Sequence, residues 1–370
     1  MKIRPQETIR EAIDKNVDFR KHTVAPSTLR ADKSKAQKLK AYLPNRPVGE
    51  FTHSDIHDIV SKLHRRYKNK TINEYLSILR AVFKRAKRDG VIEIDPMEGI
   101  DNLSVVNLEP MPFEKSEIKK MYDTPVKCIS GKHASLLSIL IGARIGEMLA
   151  MGWDDIDWHR KVLRIRRARV LNDYKVPKTP RSVREVELNE IAINLLKQQQ
   201  EITESKYTRS ISVLQADNKT WVKEKVRFVF YNNETNQPFL NAKQFSKTFF
   251  TPFLQEAGIK HRGVGQLRHT YASQNLTAGI SKDWLAQQMG HTNTHMIDRH
   301  YGRWMRKDAP DYANAAANHL ADVLGHSEFT HIEPRDKPAK NQPEILSLLQ
   351  ALIQDKPELK AALLNAGDAS

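Results

Sequence analysis

Gln266-Leu267-Arg268-His269-Thr270-Tyr271-Ala272-Ser273 is followed by Gln288-Met289-Gly290-His291-Thr292 and then by Arg299-His300-Tyr301-Gly302-Arg303-Trp304, and from these segments the rest of the chain can be read. Each segment alone has an ordinary reading. Arg268 suits a helix start carrying a surface cation, and His291 after a glycine suits a cap or a packing residue. Tyr301, ten residues beyond His291 and set among cations, suits any core or surface. A fourth segment, Gly142-Ala143-Arg144-Ile145-Gly146-Glu147-Met148-Leu149, closes an apolar helical run. An arginine in such a setting must find an anion or face a cleft, and an ion pair with Glu147, about one helical turn away, is its simplest fate.

Outward from these segments, residues 113–325 read as one large domain. Helices are predicted over Lys115–Tyr122 and Ala134–Met151. Strands are predicted over Val162–Ile165, Arg184–Leu188 and Arg227–Tyr231, the first two with apolar residues in alternation. Helical spacing resumes near Ala242, and residues 205–225 read as a polar loop or insertion. Strands between helical blocks predict a mainly α chain with a small antiparallel sheet, an α+β domain rather than a doubly wound one. The Asn107-Leu108-Glu109-Pro110-Met111-Pro112 linker separates it from an all-helical domain, residues 25–105. There Thr52 can cap a helix carrying Ile56, Ile59, Val60 and Leu63, and Thr71 with Glu74 reads as a capping box opening the next. Gly90 stops that helix. Residues 1–24 read as a helical lead-in, and residues 326–370 as a polar tail with a docking helix.

The helical domain concentrates charge. Lys62, Arg65, Arg66, Lys68, Lys70, Arg80, Lys84, Arg85, Lys87 and Arg88 fall between Ser61 and Gly90, opposed only by Glu74 and Asp89. A solvated helix face is the plain reading. A surface laid along phosphates accounts better for so uneven a balance. The whole chain agrees, with 60 Lys and Arg against 44 Asp and Glu, a formal charge of +16. No apolar run of ~18 residues is present, so no membrane span is expected. The N-terminus lacks the apolar stretch of a secretory signal. Cys128 is the single cysteine, which excludes an intramolecular disulfide and an all-thiolate zinc site and fits a reducing compartment. The cytoplasm, in association with the nucleoid, is the expected location.

Taken together, order and spacing resemble the tyrosine recombinase (phage integrase) family. The family carries an arginine with an acidic residue three positions on, matched by Arg144 and Glu147. Its second arginine lies in a Leu-Arg-His-Thr setting, matched by Leu267-Arg268-His269-Thr270. A Gly-His pair, matched by Gly290-His291, precedes the nucleophilic tyrosine, matched by Tyr301. A hairpin-turn lysine is matched best by Lys178 in Pro177-Lys178-Thr179-Pro180, with Lys175 the fallback. The resemblance covers residues 113–305 well, and the helical domain is similar more loosely to the family's core-binding domain. It implies Arg144, Lys178, Arg268, His291 and Tyr301 as catalytic residues, with Glu147 and His269 in support. Arg65, Arg66, Lys68, Lys70, Arg80, Lys84, Arg85, Lys87 and Arg88 are the candidate DNA contacts. One departure stands out: the family usually has His, Lys or Tyr three residues before the second arginine, and this chain has Gly265.

These residue types suit phosphoryl transfer from DNA to a protein hydroxyl. Two arginine forks can hold the charge that develops on the non-bridging oxygens, in place of metal ions, and His291 would add a hydrogen bond. A tyrosine hydroxyl has an unperturbed pKa near ~10, and cationic surroundings favour its ionisation. Lys178 is suited to protonate the departing 5′ oxygen. A 3′-phosphotyrosine intermediate allows rejoining without ATP, so neither cofactor nor metal follows from the scheme. Double-stranded DNA is the implied partner, with four protomers on two sites and possible DNA-bending or directionality factors. Three other readings compete. A metal-dependent nuclease is disfavoured by the spacing of His291, His295 and His300 and by the absence of a His-Glu-x-x-His motif. A non-catalytic DNA-binding regulator could use Ile280–Tyr301 as a helix-turn-helix. A type IB topoisomerase-like enzyme shares the chemistry.

Overall fold

Thr8 opens the first helix, α1 (Ile9–Arg20), with a capping box in which its hydroxyl accepts from the Glu11 amide and the Glu11 carboxylate accepts from its own. The computed structural model describes residues 7–106, 109–177, 183–291 and 293–301, with Asp311, and side chains through Asp298 in the last helix. Apart from Asp311, these residues lie within one unit, residues 1–308. Pro26 starts α2 (Pro26–Lys40), where its fixed φ and missing N–H cost nothing. Thr52 caps α3 (His53–His64) through a box with Asp55, and Ile56, Ile59 and Leu63 turn inward, as the spacing predicts.

The next helix, α4 (Asn69–Arg88), differs at its start. Lys68 is the N-cap and makes no side-chain cap, so Thr71 and Glu74 lie inside the helix rather than at its mouth. Glu74 pairs with Lys35 at 3.1 Å instead. The stripe Ile72, Tyr75, Leu76, Leu79, Val82, Phe83 and Ala86 is buried, and each large member contributes about 1.5–3 kcal/mol. Gly90 follows with φ +68°, the left-handed turn that releases the chain from the helix. Ile9, Ile13 and Val17 of α1 share this core, so the lead-in is an integral part of the helical body. Burial of the α1 apolar face, invisible to a reading that stops at Pro26, is the reason.

The second body is built on α5 (Lys115–Asp123) and α6 (Ile129–Ile141), the latter buried on nearly every side. The predicted helix over Ala134–Met151 is in fact two. Gly142, at φ +65°, ends α6, and after an extended Arg144 the short α7 (Ile145–Met148) begins. A first sheet joins β1 (Ile156–Asp157), β2 (Val162–Ile165) and β5 (Arg184–Glu187), all antiparallel, with Leu163 opposite Val186. Between β2 and β5 the chain forms a hairpin of β3 (Ala168–Val170) and β4 (Asp173–Lys175). Asn189 caps α8 (Glu190–Thr203).

Two expectations are corrected beyond it. Residues 205–225, read as a loop, hold a regular hairpin of β6 (Arg209–Leu214) and β7 (Trp221–Val226), and β6 pairs in parallel with β4. Polar alternation disguised the strands. Conversely, Arg227–Tyr231 is not one strand: only β8 (Tyr231–Asn232) pairs, with β9 (Gln237–Pro238), while Phe228 makes a single bridge to Gly152. Phe228, Val229 and Phe230 are buried in succession because packing encloses this segment on both sides. Then come α9 (Ala242–Phe245), a π-helical turn over Ser246–Phe250, α10 (Thr251–Glu256), α11 (Gln266–Thr277), α12 (Lys282–Met289) and α13 (His295–Tyr301). The central helix α6 lies between α8 and α11, over a core that includes Leu137, Leu163, Val186, Leu196, Phe245 and Leu267. Among the described residues no helix is long and apolar enough to cross a membrane.

Candidate active site

Gly142 is where the site begins. Its positive φ suits glycine, and a Cβ there would lie 2.2 Å from the Tyr271 ring, so α6 and α11 approach as closely as backbone and ring permit. That approach brings its carbonyl to Arg268, whose Nη1 donates to it at 2.6 Å. Arg268 Nη2 donates to the Met289 carbonyl at 2.7 Å and lies 2.8 Å from His291 Nε2. Arg268 is buried, so its charge is held by carbonyls at the ends of two helices (α6 and α12). Carbonyls at helix C-termini carry partial negative charge, which suits this cation.

Arg144, two residues past Gly142, has its side chain half-exposed. Its amide donates to Glu147 Oε2 at 3.0 Å and its Nη1 to Glu147 Oε1 at 2.9 Å. The predicted ion pair therefore exists, yet it leaves Arg144 facing solvent. Glu147 itself is buried and is also held by Arg184, whose Nη2 donates at 3.0 Å. Burial opposes ionisation of this carboxyl, but the Arg184 guanidinium foremost, then Arg144 and Arg268, outweigh it and hold it below its usual value. One carboxylate thus stands among three guanidiniums, a surplus of positive charge.

Arg184 was missed in the motif reading. Its side chain is 5% exposed, and its Nε donates to the Gln288 carbonyl at 2.7 Å. Gly290, at φ +68°, packs so tightly that a Cβ would meet Arg184 Cδ at 2.9 Å. One side chain therefore joins β5, α7 and the Gly290-His291 corner. A signal was present: Arg184 lies two residues before buried Val186, and alternate strand residues share a face. A cation on an inward face needs partners. Gln288 ties α12 to the same strand, its Oε1 accepting from the Glu187 amide at 2.9 Å.

His269 follows Arg268 on α11 and is half-buried. Tyr301 ends α13, a helix that packs through Ile297 with Tyr271, Leu285 and Met289 of the two neighbouring helices; its own side chain lies outside the described ones. Lys178 lies outside the described residues. Lys175, the fallback, ends β4 and is half-exposed. At Gly265 an added Cβ would meet no heavy atom within 4 Å, so the position is open rather than crowded. Burial pushes the Tyr271 hydroxyl up to about 12, which makes this nearby tyrosine a poor nucleophile. Among the described residues, no group of three His, Cys, Asp or Glu side chains gathers as metal ligands.

The basic cluster divides in two. Arg65, Arg66, Lys68 and Lys70 are exposed around the α3–α4 turn, and Lys84, Lys87 and Arg88 are exposed on α4. Arg80 instead donates to Asn102 Oδ1 at 2.8 Å and to the Ile100 carbonyl at 2.9 Å. Arg85 donates to the Ala12 carbonyl at 3.2 Å and reaches Glu7 at 3.4 Å. These two hold the helical body together.

Residues 112–306 match the family model described as the phage integrase family, and residues 8–103 match that of the phage integrase SAM-like domain. The chain is 31% identical to the protein IntQ of Escherichia coli (strain K12) over 282 residues, 73% of this chain and 68% of that one. It is 26% identical to the prophage integrase IntR of the same strain over 320 residues, 81% and 77% of the two chains. Its fold resembles a Tn1549 transposon integrase in complex with a circular intermediate DNA, with a TM-score of 0.67 at 20% identity, covering 85% of this chain and 99% of that one. It also resembles a lambda integrase tetramer bound to a Holliday junction, with a TM-score of 0.61 at 16% identity over 82% and 83% of the chains.

Proposed function

The chain belongs to the phage integrase family of tyrosine recombinases, a site-specific DNA recombinase of a mobile element, and from that premise we propose how its residues divide the work. Tyr301 is the nucleophile. Its phenol gives its proton to water and the oxygen attacks a DNA phosphorus; the new O–P bond forms as the P–O5′ bond breaks, and Lys178 gives the leaving oxygen its proton. Arg144 and Arg268 neutralise the non-bridging oxygens, and His291 donates to one of them. Rejoining reverses the step with a 5′ hydroxyl of the partner strand, so phosphate-ester bonds are conserved and no external energy is needed.

The observation that supports this reading is one buried carboxylate, that of Glu147, shared by Arg144 and Arg184 and felt by Arg268. Glu147 and Arg184 act as positioning residues: they hold Arg144 and the His291 corner without themselves touching phosphate. Duplex DNA is the partner, gripped by the exposed lysines and arginines of the α3–α4 turn and α4 on one side and the second body on the other. A tetramer on paired sites is the working assembly, by analogy with the lambda integrase tetramer bound to a Holliday junction. Residues 326–370 are the candidate for docking between neighbours, and DNA-bending or directionality factors would act on this complex.

A nicked duplex carrying the site traps the intermediate, since the short 5′ fragment diffuses away after cleavage. Peptide mapping of the adduct is expected to place the phosphate on Tyr301, and Tyr301→Phe to bind the same duplex without forming it. Adduct on another residue, or full activity of the Phe variant, overturns the assignment. Relaxation of supercoiled DNA lacking any site would instead indicate a topoisomerase-like enzyme.

A further inference from the structure

The β6–β7 hairpin, absent from the sequence reading, has two unlike faces. Among the described residues the second sheet runs β3-β4-β6-β7, with β7 at its edge. Its register, with Ser212 opposite Lys223, Ser210 opposite Lys225 and Leu214 opposite Trp221, puts these six residues on one face, where Leu214 alone is buried. The other face is structural: Val213 and Val226 are buried with Tyr174 and Phe228, and Glu224 accepts from Arg167 at 3.1 Å. On the first face both serines and both lysines are exposed, and Trp221 is 48% exposed.

The charges on that face are unmatched. Elsewhere on this body surface cations commonly pair with acids, as Arg160 does with Glu185, Lys161 with Glu190 and Arg227 with Asp154. Among the described residues no carboxylate bonds to Lys223 or Lys225, although Asp217 is nearby at the hairpin tip. Asp217 is occupied by the Thr220 hydroxyl and the amides of Lys219 and Thr220, which hold its carboxyl down at about 2. Asp173, on the same face of β4, faces Arg30 of the helical body at 3.9 Å. Lys223 and Lys225 stand two residues apart on an extended strand, about 6.6 Å, so two ammonium groups face the same way along it. An exposed indole beside them offers a flat apolar plate for a sugar edge.

Continuity points the same way. Parallel pairing places Lys175 opposite Leu214, which lies opposite Trp221, so one row across the sheet runs from the hairpin toward the strand that leads to Lys178. A cleft of about 350 Å³ separates this end of the sheet from the α1–α2 corner and is lined by Arg20, Thr28, Lys175, Gln215 and Asn218. The hairpin tip, through Gln215 and Asn218, therefore borders the cleft beside the helical body.

We propose that the outward face of the β6–β7 hairpin binds the sugar–phosphate backbone of duplex DNA flanking the segment held at the cleaved phosphate. This rests on the reading of the chain as a recombinase and adds a contact that its catalytic residues do not supply. The test uses the full chain with Trp221→Ala, Lys223→Gln and Lys225→Gln combined. All three side chains are exposed, and an unchanged thermal melt checks folding; Lys223→Glu with Lys225→Glu is the second variant. Binding is measured to a labelled duplex confined to the core site and to one extended by two helical turns, at several salt concentrations. On the extended duplex the triple variant is expected to bind about tenfold more weakly. Its slope of log affinity against log salt is expected to fall by about 2, near 0.9 for each lost phosphate contact. The short duplex is expected to bind as before, with the same Tyr301 adduct yield at saturating protein. Equal affinity and slope on both duplexes overturn the proposal. So does a variant that loses only self-association in sedimentation, which would make the β7 edge a contact between copies. Were the parent chain to form no tyrosyl adduct while the variant still lost affinity for the longer duplex, the hairpin contact would stand and the recombinase mechanism would fall.

Discussion

Glu147 holds Arg144 and Arg184 from a buried position. It is the one acid among three guanidiniums, and Arg184 on its inner side is as buried as it is. Removing one partner of such a buried pair leaves an uncompensated charge, at a cost of about 3–5 kcal/mol. Glu147→Gln is therefore expected to lower stability by that order in urea unfolding at pH 7, and to cut adduct formation through a misplaced Arg144. The pH dependence has a definite sign. The folded-state value lies below the ordinary 4.5, so the stabilisation is complete above about 4.5 and is lost as pH falls through the lower folded value. The parent chain should lose stability on acidification in that window, and the Gln variant should lose less there. Parallel curves for the two proteins would remove Glu147 from the account. Arg184→Lys tests positioning separately from charge: a lysine lacks the fork, so stability is expected to be partly kept while cleavage at saturating DNA falls.

At the level of elements, the proposed site around Arg268 is built where helices stop. The left-handed Gly142 and Gly290 end α6 and α12, and the carbonyls of Gly142 and Met289 turn toward Arg268. Gly142→Ala adds both an unfavourable φ and a collision with the Tyr271 ring. Strain of about 1–3 kcal/mol is expected, seen as a lowered urea midpoint, together with a larger fall in adduct yield because Arg268 loses its acceptor geometry. An unchanged adduct yield would mean that the α6–α11 approach does not set the site. Gly265 gives the opposite case. Its open surroundings admit a side chain at no steric cost, so Gly265→His should fold as the parent does, and thermal melting checks this. The helix start at Asn69 shows why local signals misplace boundaries: Thr71 and Glu74 have the right types for a box, but Glu74 has Lys35 across the bundle, and the helix already begins at Asn69.

For the whole molecule, the basic surface is smaller than the count of its cations. Arg80 and Arg85 are bound within the helical body, whereas Lys84 is exposed beside them. Arg80→Ala is expected to lower stability, with its hydrogen bonds to Ile100 and Asn102 lost. Lys84→Ala is expected to leave the melt unchanged and to reduce the salt slope of DNA binding by about 0.9. If Lys84→Ala instead destabilises and Arg80→Ala changes only the salt slope, this division of the cluster is wrong. The amino-acid sequence by itself determined the family, the alternation of helical and mixed segments, and the motifs that hold Arg144, Glu147, Arg268 and His291, because each motif is a short pattern set by one helix or one turn. Only the tertiary structure decided that α1 joins the helical core, that residues 205–225 pair as strands, and that Arg184 reaches Glu147. Those facts depend on partners far away in the chain, Arg184 and Glu147 being 37 residues apart, and no local periodicity encodes which distant group an inward-facing cation will meet.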